Sequence, residues 1–174
     1  MDKEENNYVF IDSNNLNLGI QSLGWKLDFR RFRRYLKEKY RVKIAYMFIG
    51  YVPTNQSLYS FLQKVGYVLV FKPTIPDKAG NLKGNVDANL VLQAMIDYKN
   101  YDKAVIVTSD GDFYCLVEYL YGNNKLKKVI SPYTKTCSVL LKKSAKEKIV
   151  FMDNLREKLE YASGDNSRYH SNYK

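Results

Sequence analysis

The chain has 174 residues and a formal charge of +10, enough length for one domain with a substantial core and a surface suited to polyanionic partners. No apolar run approaches the roughly 18 residues of a membrane span, and the polar start MDKEENN is not a secretory signal. Two cysteines, Cys115 and Cys137, and one histidine, His170, exclude a disulfide framework, a four-thiolate zinc site and histidine-based catalysis in the core.

In chain order, Tyr8–Asp12 reads as a buried strand, apolar and bounded by polar residues. Asp12 to Gly24 is Asn-rich and reads as a loop. Asp28 is placed as the N-cap of a helix to Tyr40, with Phe29, Phe32, Leu36 and Tyr40 at helical spacing and Arg30, Arg31, Arg33, Arg34 and Lys37 covering the rest. Strands are expected at Ile44–Ile49, Tyr67–Phe71, Lys103–Val107 and Lys127–Ile130, with a last edge strand at Ile149–Met152. Helices are expected at Thr54–Val65, Asn85–Tyr98, Asp112–Tyr121, Ser138–Ser144 and Asn154–Tyr161, and a loop at Lys72–Gly84, which holds two prolines and two glycines. Alternating strands and helices imply an α/β fold, a three-layer α/β/α sandwich with a mainly parallel sheet in one domain over residues 1–161. Residues 162–174 read as a polar, disordered tail. Cys115 and Cys137 are expected to be small buried hydrophobes in a reducing, cytoplasmic protein.

Open parallel sheets bind ligands beyond the carboxyl ends of their strands. Two strands here finish on carboxylates, at Asp12 and at Asp110 in the turn VTSDGDF, where Asp112 follows two residues later. Asp87 shares a helix face with Leu90, Val91 and Ala94, and an inward Asp needs a partner or a cation. Asp112 is well placed as an N-cap, whereas Asp110 has no obvious capping duty. Carboxylates about 4 Å apart repel by about 4 kcal/mol at an effective dielectric near 20, so several converging favour an all-oxygen site for Mg²⁺ or Mn²⁺.

The charge is uneven. Residues 26–43 hold nine Lys/Arg against Asp28 and Glu38, +7, and residues 124–148 hold eight Lys against Glu147, again +7, leaving −4 elsewhere. Two basic blocks around an acid-bearing core suit nucleic acid. Arg30, Arg34 and Lys83 are candidates for phosphate contact, and Tyr51 or Tyr133 for stacking on a base. The turn and strand-end acids do not fit an adhesion-type metal site, which needs hydroxyls where Asn14 and Leu16 stand. A Toprim-like site would need a glutamate at Asp12.

FIDSNN near the start, KGNVDANLVL in the middle and VTSDGDF later resemble, in order and spacing, the NYN domain group of PIN-like ribonucleases, in its LabA-like branch. The resemblance covers roughly Tyr8 to Tyr161. It implies a Rossmannoid, PIN-like sandwich and a Mg²⁺- or Mn²⁺-dependent site that cuts RNA, single-stranded by expectation, leaving 5′-phosphate and 3′-hydroxyl ends. By position it implies Asp12, Asp87, Asp110 and Asp112 as catalytic and metal-holding acids, with Asn15 and Thr108 as supporting polar groups. Two features depart from the pattern: Gln93 stands where relatives carry an acid six residues after the helix Asp, and Thr108-Ser109-Asp110 stands where they often read Ser-Gly-Asp. Gln93 leaves the number of ions open. The alternative is a non-catalytic RNA-binding or regulatory NYN protein. An exposed edge strand makes a homodimer possible.

Overall fold

A computed structural model describes residues 4–72, 75–76, 82–83 and 87–162, with the backbone alone at the two short middle segments. Six parallel strands form the central sheet: β1 (Asn7–Asp12), β2 (Val42–Gly50), β3 (Tyr67–Lys72), β6 (Ala104–Val107), β7 (Leu126–Ser131) and β8 (Ile149–Phe151), in the order β3-β2-β1-β6-β7-β8. The expected Lys72–Gly84 loop contains a small antiparallel ribbon, β4 (Ile75–Pro76) with β5 (Leu82–Lys83). The helices are α1 (Ser13–Ser22), α2 (Phe29–Tyr40), α3 (Gln56–Val65), α4 (Asp87–Ile96), α5 (Tyr114–Gly122), α6 (Val139–Ala145) and α7 (Arg156–Leu159). This is the three-layer α/β/α architecture the sequence predicts.

Burial follows position in the sheet. The central strands β1 and β6 are buried at every residue, while the edge strand β3 is only half covered. One core layer sets Val9 and Ile11 of β1 against Leu16, Phe32, Leu36 and Leu62 from α1, α2 and α3. The opposite layer sets Phe10 and Ile106 against Leu90, Phe113, Val117 and Leu141 from α4, α5, α6 and the turn before α5. Leaving β1 the chain winds outward through β2 and β3, then crosses back to build β6, β7 and β8 on the other side. The topological switch point therefore lies between β1 and β6, where such sheets open a crevice at their carboxyl ends.

Local signals account for most ends. Asp28 caps α2 by accepting from the Arg30 and Arg31 amides, and Gly66 closes α3 at φ 102. α1 corrects the expected Asn-rich loop. Asp12 accepts from the Asn15 amide as its N-cap, and Leu16 and Ile20 are buried against the sheet, so capping and tertiary packing outweigh weak helix propensity. Gly19 lets α1 approach Pro132: an added Cβ would stand 2.4 Å from the proline Cβ.

The cysteines divide: Cys137 is buried as expected, whereas Cys115 is exposed. His170 and the expected disordered tail from residue 163 lie outside the described residues, although Ala162, at its start, is described.

Asn7 is a clamp that sequence reasoning missed. It is fully buried, its Nδ2 donates to the Tyr40 carbonyl at 2.7 Å, and its Oδ1 accepts from the Lys103 amide at 3.0 Å. It joins β1 to the end of α2 and the approach to β6. Asn7→Leu leaves two backbone groups unsatisfied and is expected to destabilise the domain by about 2–4 kcal/mol in urea unfolding.

Candidate metal centre at the topological switch point

Asp12 ends β1 and is 4% exposed. One of its oxygens accepts from the Asn15 amide at 3.1 Å and the other from the Thr108 hydroxyl at 3.2 Å. Burial pushes its carboxyl up from 3.8 to about 6, and Asp87 and Asp110 add to the rise; the two hydrogen bonds oppose it. Thr108, at the end of β6, also accepts from the Asp110 amide through the same hydroxyl, at 3.1 Å. A single hydroxyl therefore links Asp12 to the DGD turn. Asn15 ties the same two elements by accepting from the Ser109 amide at 2.7 Å.

The DGD turn reverses the capping roles read from sequence. Asp110, not Asp112, is the N-cap: its carboxylate accepts from the Asp112 amide at 2.9 Å, opening a short 3-10 turn over Gly111–Phe113. Phe113 is buried and anchors the turn, while Asp112 is left exposed. Gly111 passes so close to the cap of α6 that a Cβ would stand 2.4 Å from the Ser138 hydroxyl oxygen. The turn is thus fixed from three sides, by Thr108, by Phe113 and by Ser138.

Asp87, in the first turn of α4, meets this turn from within the same helix layer, where Leu90 and Phe113 share one core cluster. One carboxylate oxygen from each of Asp87, Asp110 and Asp112 lies within 4.8 Å of the others. Two ligands facing each other across an ion with bonds of about 2.1 Å stand about 4.2 Å apart, so the spacing and the all-oxygen donor set suit Mg²⁺ or Mn²⁺. Asp12 stands behind this trio, close enough to be felt electrostatically.

The turn opens into a depression of about 520 Å³ lined by Asn15, Ser109, Asp110, Gly111, Asp112, Tyr114, Thr136, Ser138 and Leu140. Its described lining holds two carboxylates and no Lys or Arg. A phosphodiester could enter only with a cation to offset that charge. Tyr114 is 41% exposed on this wall and was missed by sequence reasoning; its place two residues after Asp112, on the first turn of α5, was the available signal. Tyr51 instead packs against Tyr59 and Phe71, and Tyr133 is not part of the lining.

Arg30 and Arg34 lie elsewhere, in a groove between α2 and α3. The Lys83 side chain lies outside the described residues. Gln93 is engaged structurally: its amide donates to Asp97 at 2.7 Å, one turn along α4. It is six residues from Asp87, about 9 Å along the helix axis at 1.5 Å per residue.

Comparison with known proteins agrees with this architecture. The chain superposes on the crystal structure of a protein of unknown function from Vibrio parahaemolyticus with a TM-score of 0.76 at 23% identity, covering 91% of this chain and 98% of that one. It is 28% identical over 133 residues to the low amplitude and bright protein LabA of Synechococcus elongatus, covering 71% of this chain and 72% of LabA. The NYN domain profile matches residues 6–153. NYN domains are typically nucleases and generally depend on divalent metals. With a parallel sheet, aspartates gathered at its switch point and a profile match over most of its length, the chain belongs to the NYN domain family.

Proposed function

We propose that this protein hydrolyses RNA phosphodiester bonds, acting on single strands, with Mg²⁺ or Mn²⁺ held by Asp87, Asp110 and Asp112. The convergence of these three carboxylates at the switch point carries the reading. When bound, the ion would activate water and stabilise charge on the phosphoryl oxygens. Asp110 is held by the backbone of its own turn and Asp12 by Asn15 and Thr108, so the acids are oriented before substrate arrives. Asp12 positions the DGD turn through Thr108 and adds negative charge behind the trio. Exposed Asp112 faces the incoming strand. Tyr114 offers its ring to a base beside the scissile phosphate. Water attacks the phosphorus and the P–O3′ bond breaks, so the 3′ oxygen leaves as a hydroxyl and the phosphate stays on the 5′ end, the products the family resemblance implies. The two free thiols, Cys115 and Cys137, suit a reducing cytoplasm, and no helix among the described residues is long and apolar enough to cross a membrane.

The test is cleavage of a fluorophore-labelled single-stranded RNA by purified protein with Mg²⁺, with Mn²⁺ and with excess EDTA. Cleavage in either metal, absent with chelator and restored by re-adding the ion, is the expected result. RNA left intact in both metals refutes the catalytic reading and leaves a binding module.

A further inference from the structure

The two basic blocks of the sequence are not equivalent in the fold. The lysines of residues 124–148 are largely engaged within the protein. Lys125 donates to the carbonyls of Tyr98 and Tyr101, Lys127 pairs with Glu5, and Lys128, Lys142 and Lys148 donate to the carbonyls of Glu147, Thr134 and Leu126. Lys146 sits 4.5 Å from the Tyr121 ring centroid.

The first block is arranged otherwise. Arg33 is the structural member: its guanidinium donates to the carbonyls of Val42, Lys43 and Gly66, binding α2 to the amino-terminal ends of β2 and β3. Around it Arg30, Arg34, Lys37 and Lys64 line a groove of about 600 Å³ between α2 and α3, with Glu38 the one acid in the lining. All four are exposed, and none of them makes an ion pair among the described residues. The Arg30 guanidinium lies 5.1 Å from the Phe61 ring centroid, a cation–π contact that ties it to α3. A second groove, on the other flank of α2, shares Arg34 and Glu38 and adds Arg31 and Lys158. Arg30, Arg34 and Lys37 recur at about one helical turn, roughly 5.4 Å, a repeat that suits successive phosphates of an extended strand rather than one isolated anion.

We infer that the α2–α3 groove is a nucleic-acid backbone seat, separate from the carboxylate centre, which takes the sugar-phosphate chain of a single-stranded RNA without reading its bases. The inference rests on RNA as the substrate of the proposed reaction and adds where the strand is held. The groove lies at the opposite end of the sheet from the acids. Val42 beside Arg33 and Phe48 opposite Asp12 are six residues apart on β2, roughly 20 Å at 3.3 Å per residue. An RNA must be long enough to run from one end of the sheet to the other to use both places, and the net negative catalytic depression is spared the task of attracting the polyanion.

The experiment measures binding of a labelled 20-nucleotide oligo(U) in EDTA, where no metal-dependent cutting occurs, across a salt series. Wild type is compared with Arg34→Glu/Lys37→Glu/Lys64→Glu and with a control of equal charge change outside the groove, Lys26→Glu/Lys99→Glu/Lys143→Glu. Arg33 is left intact in both, and circular dichroism verifies folding. The groove variant is expected to lose about 2 units of log–log salt slope, at about 0.7 per cation, and about 100-fold in affinity near 0.1 M salt; the control loses far less. Equal losses in the two variants overturn the proposal, as does wild-type binding to anionic phospholipid vesicles in preference to the RNA. Because binding is read without metal, absence of cleavage in the catalytic assay leaves this result standing, and failure of the groove leaves the metal centre standing.

Discussion

Asp110→Asn is expected to abolish metal-dependent RNA cleavage, by more than about 100-fold in kcat/KM, while leaving the fold intact. The two halves of this expectation come from different atoms of one side chain. The Asp110 carboxylate accepts from the Asp112 amide and so caps the turn. Asparagine caps about as well as aspartate, and its amide oxygen can accept the same bond. The turn, anchored by buried Phe113 and by the Thr108 hydroxyl on the Asp110 amide, keeps its shape. What disappears is the charge shared with Asp87 and Asp112 inside a 4.8 Å cluster, and with it a strong oxygen ligand for a divalent ion. Thermal unfolding without metal is expected to be unchanged or slightly raised, because losing one of three neighbouring carboxylates relieves a like-charge repulsion that solvent largely screens at this partly exposed turn. Initial rates on the labelled RNA, measured beside the wild type from the same purification, check the first half; calorimetry or circular dichroism checks the second. Equal cleavage by the variant would remove the trio from the chemistry and point to a contaminant.

The sheet was legible because its signals are local. Buried parallel strands read as short apolar runs, as at Tyr8–Asp12 and Lys103–Val107, and punctuation by Asp28 and Gly66 fixed helix ends. The candidate acids were legible because strand-end aspartates are hard to explain by packing. What escaped were decisions taken between distant segments. α1 looked like a loop because its helix depends on Leu16 and Ile20 meeting the sheet and Gly19 meeting Pro132. Asp110 and Asp112 exchanged capping roles because a 3-10 turn, invisible to periodicity, precedes α5. Arg33 and Arg34 are adjacent and chemically identical in sequence, yet one is spent on three backbone carbonyls and the other lines the groove. Arg30 and Arg34 were read as candidates for phosphate contact with no place assigned, and the topology sets them in a groove between α2 and α3 at the far end of the strands. Gln93 looked like a missing ligand; its bond to Asp97 makes it part of α4's own support.

Asp12 sets the second large effect, on stability rather than rate. Its pKa is raised from 3.8 to about 6, first by burial and then by Asp87 and Asp110. For an acid whose folded pKa is raised, the folded state favours the proton. Below about pH 3.8 both states are protonated and nothing is lost. Between 3.8 and 6 the unfolded chain ionises first, so stability falls as pH rises; above 6 the cost is complete, at roughly 3 kcal/mol for a shift of about two units. In EDTA at pH 8, Asp12→Asn is therefore expected to be more stable than wild type by about 1–3 kcal/mol, or about 2–12 °C in Tm for a domain of this size, with the gap closing toward pH 4. A divalent ion at the trio offsets the smaller, electrostatic part of the rise at Asp12, and by mass action alone Mg²⁺ is expected to stabilise the wild type by about 2.7 kcal/mol at 100 times Kd. The gain is larger at pH 8 than at pH 5, where protons compete for the carboxylates. Melting curves of both proteins at pH 5 and 8, with and without Mg²⁺, give the comparison. A wild type that gains stability over Asp12→Asn as pH rises in EDTA would mean that Asp12 is held by favourable charge partners, and that the acids behind and within the DGD turn do not need a cation.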